Sequence, residues 1–169
     1  MNYLPQFFPS SWTNDHQVFG IPFTNEVSIG LVTRNAGGYS YLQIEEFKEL
    51  GIEHNTLLAS AVAKLDVEFN ECEIKVYRIK GGKLAYWSSE NDNFTAVRIL
   101  SGKYVKVLRE VFDGDFKFSI PDRDLITCWR TNKEEEDTKL VMETIQDFTG
   151  SDYQLSDKVY YADSTKFRL

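Results

Sequence analysis

Hydrophobic positions along the chain alternate in some stretches and recur at helical spacing in others, and the two patterns do not alternate strictly. Residues 26–34 alternate: Val27, Ile29 and Leu31 point one way and Ser28 and Gly30 the other, which predicts a strand ended by the Asn35, Ala36, Gly37, Gly38 run. Two helices are predicted next. Ser40 and Gln43 fit a capping box for the first, and Gly51 stands where a left-handed terminating residue is wanted. The second runs from about Asn55 to about Val67, with Leu58, Ala61, Val62 and Leu65 as its apolar stripe.

Residues 73–79 and 83–88 carry Ile74, Val76, Tyr77, Ile79, Tyr86 and Trp87 on either side of Lys80, Gly81 and Gly82, a hairpin pattern. Asn93 is positioned to cap a short helix ending near Leu100, although Val97, Ile99 and Leu100 suit a strand equally well. A helix over 103–112 would turn Tyr104, Leu108 and Val111 inward and Lys103, Lys106 and Arg109 outward. Phe116, Phe118 and Ile120 alternate with Lys117 and Ser119, and 125–129 is β-like again, giving a second hairpin. Asn132 and Glu135 form another capping-box pattern, and Glu134, Glu135, Glu136 and Asp137 load that helix start with the charge its dipole favours. Val141, Ile145 and Phe148 are expected to face inward before Gly150 stops the helix. A last strand is read over 155–161 and a frayed tail over 164–169.

Ahead of all this, residues 1–25 hold Tyr3, Phe7, Phe8, Trp12, Phe19 and Phe23 among prolines, with no clean period. The expectation is an irregular aromatic arm packed on one domain spanning 26–169. The fold class is α+β, a mainly antiparallel sheet built from hairpins with about four helices packed on it. A length of 169 residues suits one core, and 12 Phe and 9 Tyr against 2 Met imply an interior of large rigid side chains. Residues 1–20 lack a basic start and are interrupted by Pro5, Pro9 and Asp15, so no secretory leader is read and the cytoplasm is the expected location.

Charge changes the picture in one region. The whole chain carries a formal −7, which disfavours nucleic acid as a general partner. Residues 75–109 nevertheless hold eight cations (Lys75, Arg78, Lys80, Lys83, Arg98, Lys103, Lys106, Arg109) against Glu90 and Asp92. Such a run is either a face that receives an acidic partner or a solvated surface balancing acidic elements of the same domain. Tyr77, Tyr86 and Trp87 stand among those charges, where they serve either stacking or hairpin packing.

Candidate chemistry is sparse. The run from Ser119 to Asp124 sets Arg123 between Asp122 and Asp124. As a site, Arg123 would grip an anion and an aspartate would handle a proton or metal. As a turn, Pro121 presets φ and the aspartates bond local N–H groups. His16 and His54 have no ligand spacing, Cys72 and Cys128 lack a CxxC partner, and no phosphate-binding or dinucleotide fingerprint is present. No metal or cofactor is expected, and the cysteines read as small buried side chains.

Residues 37–161 resemble the YtpQ-like family of uncharacterised bacterial proteins. The resemblance rests on Tyr41 and Leu42, the run Phe47 to Gly51, Leu57, Leu58, Ala59 and Leu65, the run Phe118 to Ile126, and Leu155 and Ser156 before Tyr160. It implies a bacterial or bacteriophage origin and no particular activity. Two functions stand open. One is a binding or regulatory protein (immunity, anti-defence or adaptor-like) that meets another protein through Lys103, Lys106, Arg109 and Arg123. The other is an enzyme acting on a phosphorylated or nucleotide substrate through Asp122, Arg123 and Asp124.

Overall fold

The computed structural model describes residues 2–68, 74–87, 93–163 and 167–168. They group into two compact units, Met1–Asn70 and Glu71–Leu169. Each unit has its own antiparallel sheet and its own helices, and the chain is α+β.

The first unit is organised by strand β3 (Val27–Asn35). One side of β3 pairs with β1 (Leu4–Pro9), Leu4 lying opposite Val32 and Pro9 opposite Val27. Its other pairings are with β2 (Gly20–Pro22), where Gly20 meets Gly30, and with β4 (Gly38–Tyr41), where Tyr41 meets Val32. Residues 1–25 therefore contain two strands and a short helix, α1 (Trp12–Asp15), where an irregular arm was expected. The reason is burial: Leu4 to Phe8 are all buried, Gln6 included, so the strand shows no alternation to read.

Helices α2 (Ile44–Leu50) and α3 (His54–Glu68) complete the unit. Gly51 ends α2 at φ 62°, as its place in the sequence predicts. The cap sits three residues later than expected. Ser40 belongs to β4 and accepts a hydrogen bond from Asn35 Nδ2, while the Gln43 N–H donates to the Glu46 carboxylate at 2.9 Å. On α3 the buried residues are Leu57, Ala61 and Leu65, and Leu57 and Ala61 share a core cluster with Leu31 and Leu42. Leu58 and Val62 are half-buried, so the stripe is turned one position from the expected one. Two adjacent leucines both satisfy helical spacing, and contact with Leu31 selects the first.

The second unit is a six-stranded antiparallel sheet in the order β10-β9-β7-β8-β6-β5. Its strands are β5 (Ile74–Ile79), β6 (Gly82–Trp87), β7 (Phe116–Asp122), β8 (Leu125–Thr131), β9 (Val159–Ala162) and β10 (Phe167–Arg168). Both expected hairpins form. Part of the expected tail pairs instead of fraying, with Phe167 opposite Ala162.

The two faces of this sheet are covered differently. Phe118 lies opposite Cys128 and Tyr160, and this face packs on α4 (Gly102–Phe112), where Phe112 meets Phe116 at 5.3 Å between ring centroids. Tyr104, Leu108 and Phe112 are the buried side of α4, Phe112 taking the place expected for Val111. Residues 96–100 form a 3₁₀ helix, Ala96–Leu100, beside α4. Asn93 stands outside it at φ 57° and Thr95 holds the cap position.

The opposite face carries α5 (Glu134–Gly150). Its buried residues are Leu140 and Thr144, while Ile145, expected inward, is 39% exposed. Thr144 is accommodated inside because its hydroxyl donates to Ser119 Oγ or the Leu140 carbonyl, each at 3.0 Å. A polar residue in the buried stripe displaces the apolar period by one. The Asn132–Glu135 capping box does not form: Lys133 occupies the cap position, Thr131 Oγ1 accepts its N–H, and Glu135 pairs with Lys80.

Candidate binding surface

The run from Ser119 to Asp124 crosses the end of β7 and the turn into β8. Asp122 Oδ1 accepts the Asp124 N–H at 2.6 Å, and its other oxygen accepts the Ser151 hydroxyl, which itself receives the Tyr153 N–H. Arg123 lies 3.4 Å over the Tyr153 ring, with Nε 3.3 Å from Asp124 Oδ2. Backbone groups add two ties, from the Ala96 N–H to the Arg123 carbonyl and from the Leu155 N–H to the Pro121 carbonyl. The segment thus clasps the 3₁₀ helix and the chain beyond α5 to the hairpin. The Asp122 carboxylate is committed to turn donors, and the guanidinium rests on the Tyr153 ring beside the Asp124 carboxylate.

The basic residues of 75–109 have several distinct roles. Arg98 is buried. Lys83 Nζ donates to the Val111 carbonyl at 2.7 Å, and Arg130, from β8, donates to the Phe112 and Asp113 carbonyls. These cations satisfy the orphan carbonyls and negative dipole end of α4. Arg109 donates to the Asp163 carbonyl. Lys103 and Lys106 project from α4 into solvent, and Lys75 and Arg78 stand on β5. Of the expected binding residues, Lys103, Lys106 and Arg109 therefore share one helix, whereas Arg123 belongs to the β7–β8 turn.

Residues 74–87 give the cleanest concentration of charge. They hold Lys75, Arg78, Lys80 and Lys83 and no carboxylate. The Tyr77 and Tyr86 rings stack at 5.3 Å with 3° between planes, and their hydroxyls lie 3.1 Å apart. Val76 and Tyr77, which point to opposite faces of the sheet, are 46% and 44% exposed. Strand β5 is thus partly open to solvent on each face at these positions.

A cleft of about 290 Å³ opens at the sheet end among Lys117, Trp129, Arg130, Tyr161 and Asp163. Below it Asp137 accepts from Lys117 Nζ at 2.5 Å and from the indole N–H of buried Trp129 at 2.9 Å. Burial pushes the Asp137 carboxyl up, but the two hydrogen bonds and the Lys117 charge outweigh it and hold the group below its usual range. Burial likewise lowers Lys117, and bonding and charge from Asp137, with Tyr161, outweigh it to leave the ammonium raised. The pair's contribution to stability is complete between the two unfolded-state values. It is lost as acid protonates the depressed carboxyl and as alkali deprotonates the raised ammonium. Asp137→Ala is expected to cost about 1–3 kcal/mol near neutrality, because it strands the Trp129 donor. Denaturation across pH should show the acid-side loss in the parent and a flatter acid limb in the variant.

A second groove, about 230 Å³, runs between α5 and the sheet past Leu84, Tyr86, Thr127, Glu143 and Asp147. Burial raises the Asp147 carboxyl, and the nearby Glu143 charge raises it further. Burial also drives the Cys128 thiol well above its ordinary range, which suits a packing residue and disarms a nucleophile. Cys72 lies outside the described residues. Among the described residues no three His, Cys, Asp or Glu side chains are grouped to hold a metal, and no helix is long and apolar enough to cross a membrane.

The sequence displayed the cations and tyrosines of the hairpin but not the Asp137–Lys117–Trp129 cluster. Its members are scattered over 117–137, and Asp137 is indistinguishable in sequence from the three glutamates before it. Tyr153, the seat of Arg123, carried no signal either. Comparison of the chain with known protein families, curated proteins and solved structures found no match.

Proposed function

We propose that the chain is a binding or regulatory protein, of the immunity, anti-defence or adaptor kind, that acts on another protein by surface contact in a bacterial cytoplasm. The observation that carries this reading is the hairpin of 74–87, where cations and half-exposed Val76 and Tyr77 share the strand that ends the sheet order among the described residues. Exposed tyrosine and arginine are enriched at protein-recognition surfaces, and Tyr77 and Arg78 stand side by side here. The bacterial or bacteriophage setting follows from the YtpQ-like resemblance. The alternative, an enzyme working on a phosphorylated or nucleotide substrate through Asp122, Arg123 and Asp124, asks for an arginine free to meet an anion. Arg123 is instead seated on Tyr153 against Asp124.

Affinity capture from the native host tests the reading, using the parent, Arg123→Ala, and a Lys103→Glu, Lys106→Glu double variant. Arg123→Ala is expected to lower the melting temperature slightly and still recover the partner, since a cation over one ring is worth roughly 0.5–2 kcal/mol. The double variant is expected to fold normally and to report whether α4 belongs to the contact. Recovery of no protein, together with phosphatase or nucleotide-cleaving activity that Arg123→Ala abolishes at unchanged melting temperature, would overturn the reading in favour of the enzyme.

A further inference from the structure

Strand β5 pairs with β6 on one side, and among the described residues no strand pairs with its other side. An unpaired strand offers a row of backbone N–H and C=O groups, a template for another chain. Three consecutive residues in the middle of β5, Val76, Tyr77 and Arg78, are exposed, so this margin lies open to solvent. Lys75 and Arg78 project from opposite faces, and Lys80 follows in the turn. A visiting strand laid beside β5 would therefore find cations on both of its flanks.

That charge selects among visitors. A second copy of this chain pairing through its own β5 would bring two sets of Lys75 and Arg78 along one seam, and like charges at close quarters oppose pairing. An acidic strand meets the opposite situation. Its backbone gains the ladder, its carboxylates meet Lys75 and Arg78, and its apolar residues cover Val76 and the outer ring face of the Tyr77–Tyr86 stack. Single-stranded nucleic acid could use the tyrosines and cations, but it has no donors and acceptors to continue a β ladder.

We propose that β5 is a docking edge that takes up an extended acidic segment of a partner protein as an added strand. The proposal rests on the surface-contact reading above and names the chemistry of its partner. The probe is a fluorescein-labelled peptide repeating Glu-Val-Tyr-Glu, which as a strand sets a carboxylate and an apolar side chain on each face, followed by anisotropy. Controls are the same peptide with lysine for glutamate and a short oligothymidylate. The parent is expected to bind the acidic peptide with an affinity that falls as salt rises. It should not bind the lysine peptide, and the amide hydrogens of 74–79 should gain exchange protection with the acidic peptide present. Lys75→Glu, Arg78→Glu should weaken binding at least about tenfold, as charge reversal at a complementary contact does, at unchanged melting temperature. Lys75→Ala, Arg78→Ala serves if the reversal disturbs folding.

Equal binding of the lysine peptide, binding unchanged by either double variant, protection that spares 74–79, or a preference for oligothymidylate would each overturn the proposal. So would a concentration-dependent dimer whose interface protects 74–79 and excludes the peptide. Failure of every peptide, while host capture still yields a partner that both double variants retain, would overturn the edge and leave the surface-contact reading standing. Failure of capture as well would remove both.

Discussion

Gly82→Ala is expected to destabilise the second unit by about 3 kcal/mol or more, beyond the usual cost of overfilling a core. Gly82 opens β6, opposite Ile79 of β5 and Thr131 of β8. A methyl group there would overlap the Arg130 carbonyl oxygen and sit 2.8 Å from both the Arg130 carbonyl carbon and Thr131 Cα. These obstacles are backbone atoms of a strand paired on both sides, by β6 and by β7. A side chain can rotate away from an intruder, but β8 can yield only by loosening one of its ladders. Gly102→Ala is the matched control. Nothing lies within 4 Å of the added carbon at the start of α4, and that change should be neutral or stabilise by up to about 1 kcal/mol. Denaturant midpoints of the two variants should move apart, and a Gly82→Ala protein with the parent's midpoint would contradict the β6–β8 approach described above.

Leu57→Ala is expected to cost about 2–5 kcal/mol, the range for emptying a leucine site in a closed core. Leu57 is 1% exposed and sits with Leu31, Leu42 and Ala61, so truncation leaves a void between α3 and β3. Leu58 packs at the margin of the same cluster and is half-buried, and Leu58→Ala should cost visibly less. The ordering matters more than either value, because it reports the rotation of α3 about its axis. Equal losses, or a larger loss at Leu58, would mean that the helix presents the other leucine to the sheet.

That one-position turn shows where sequence stops informing. Periodicity located α3, but Leu57 and Leu58 are equivalent until a partner is supplied. On α5 the same logic failed for a chemical reason: Thr144 is taken inside because Ser119 offers it a hydrogen bond, and no apolar count anticipates a polar pair. β1 was invisible because a strand buried on both faces reads as a plain apolar run, here broken by Pro5 and Pro9. What survived were features whose cause is local, such as Gly51 at its left-handed position and the Gly81–Gly82 turn. The candidate surface follows the same division. Four cations and two tyrosines within fourteen residues can be counted in the chain, and their placement on an outer strand follows from the hairpin. The sheet order that leaves β5 outermost depends on long-range pairing, as do the seat of Arg123 on Tyr153 and the Asp137 cluster.

The dependence of β1 on β3 has a consequence during synthesis. Leu4, Phe7 and Phe8 leave the ribosome before the residues they pair with, since Leu4 awaits Val32 and Phe8 awaits Ser28. At roughly 5–20 residues per second, that segment spends about 1–5 s with its apolar side chains unclaimed, longer while β3 remains in the exit tunnel. Pro5 and Pro9 then have a use beyond the finished fold. Neither has an N–H to offer a neighbouring nascent chain, so this apolar segment, while it waits, is poorly equipped to zip onto a stranger.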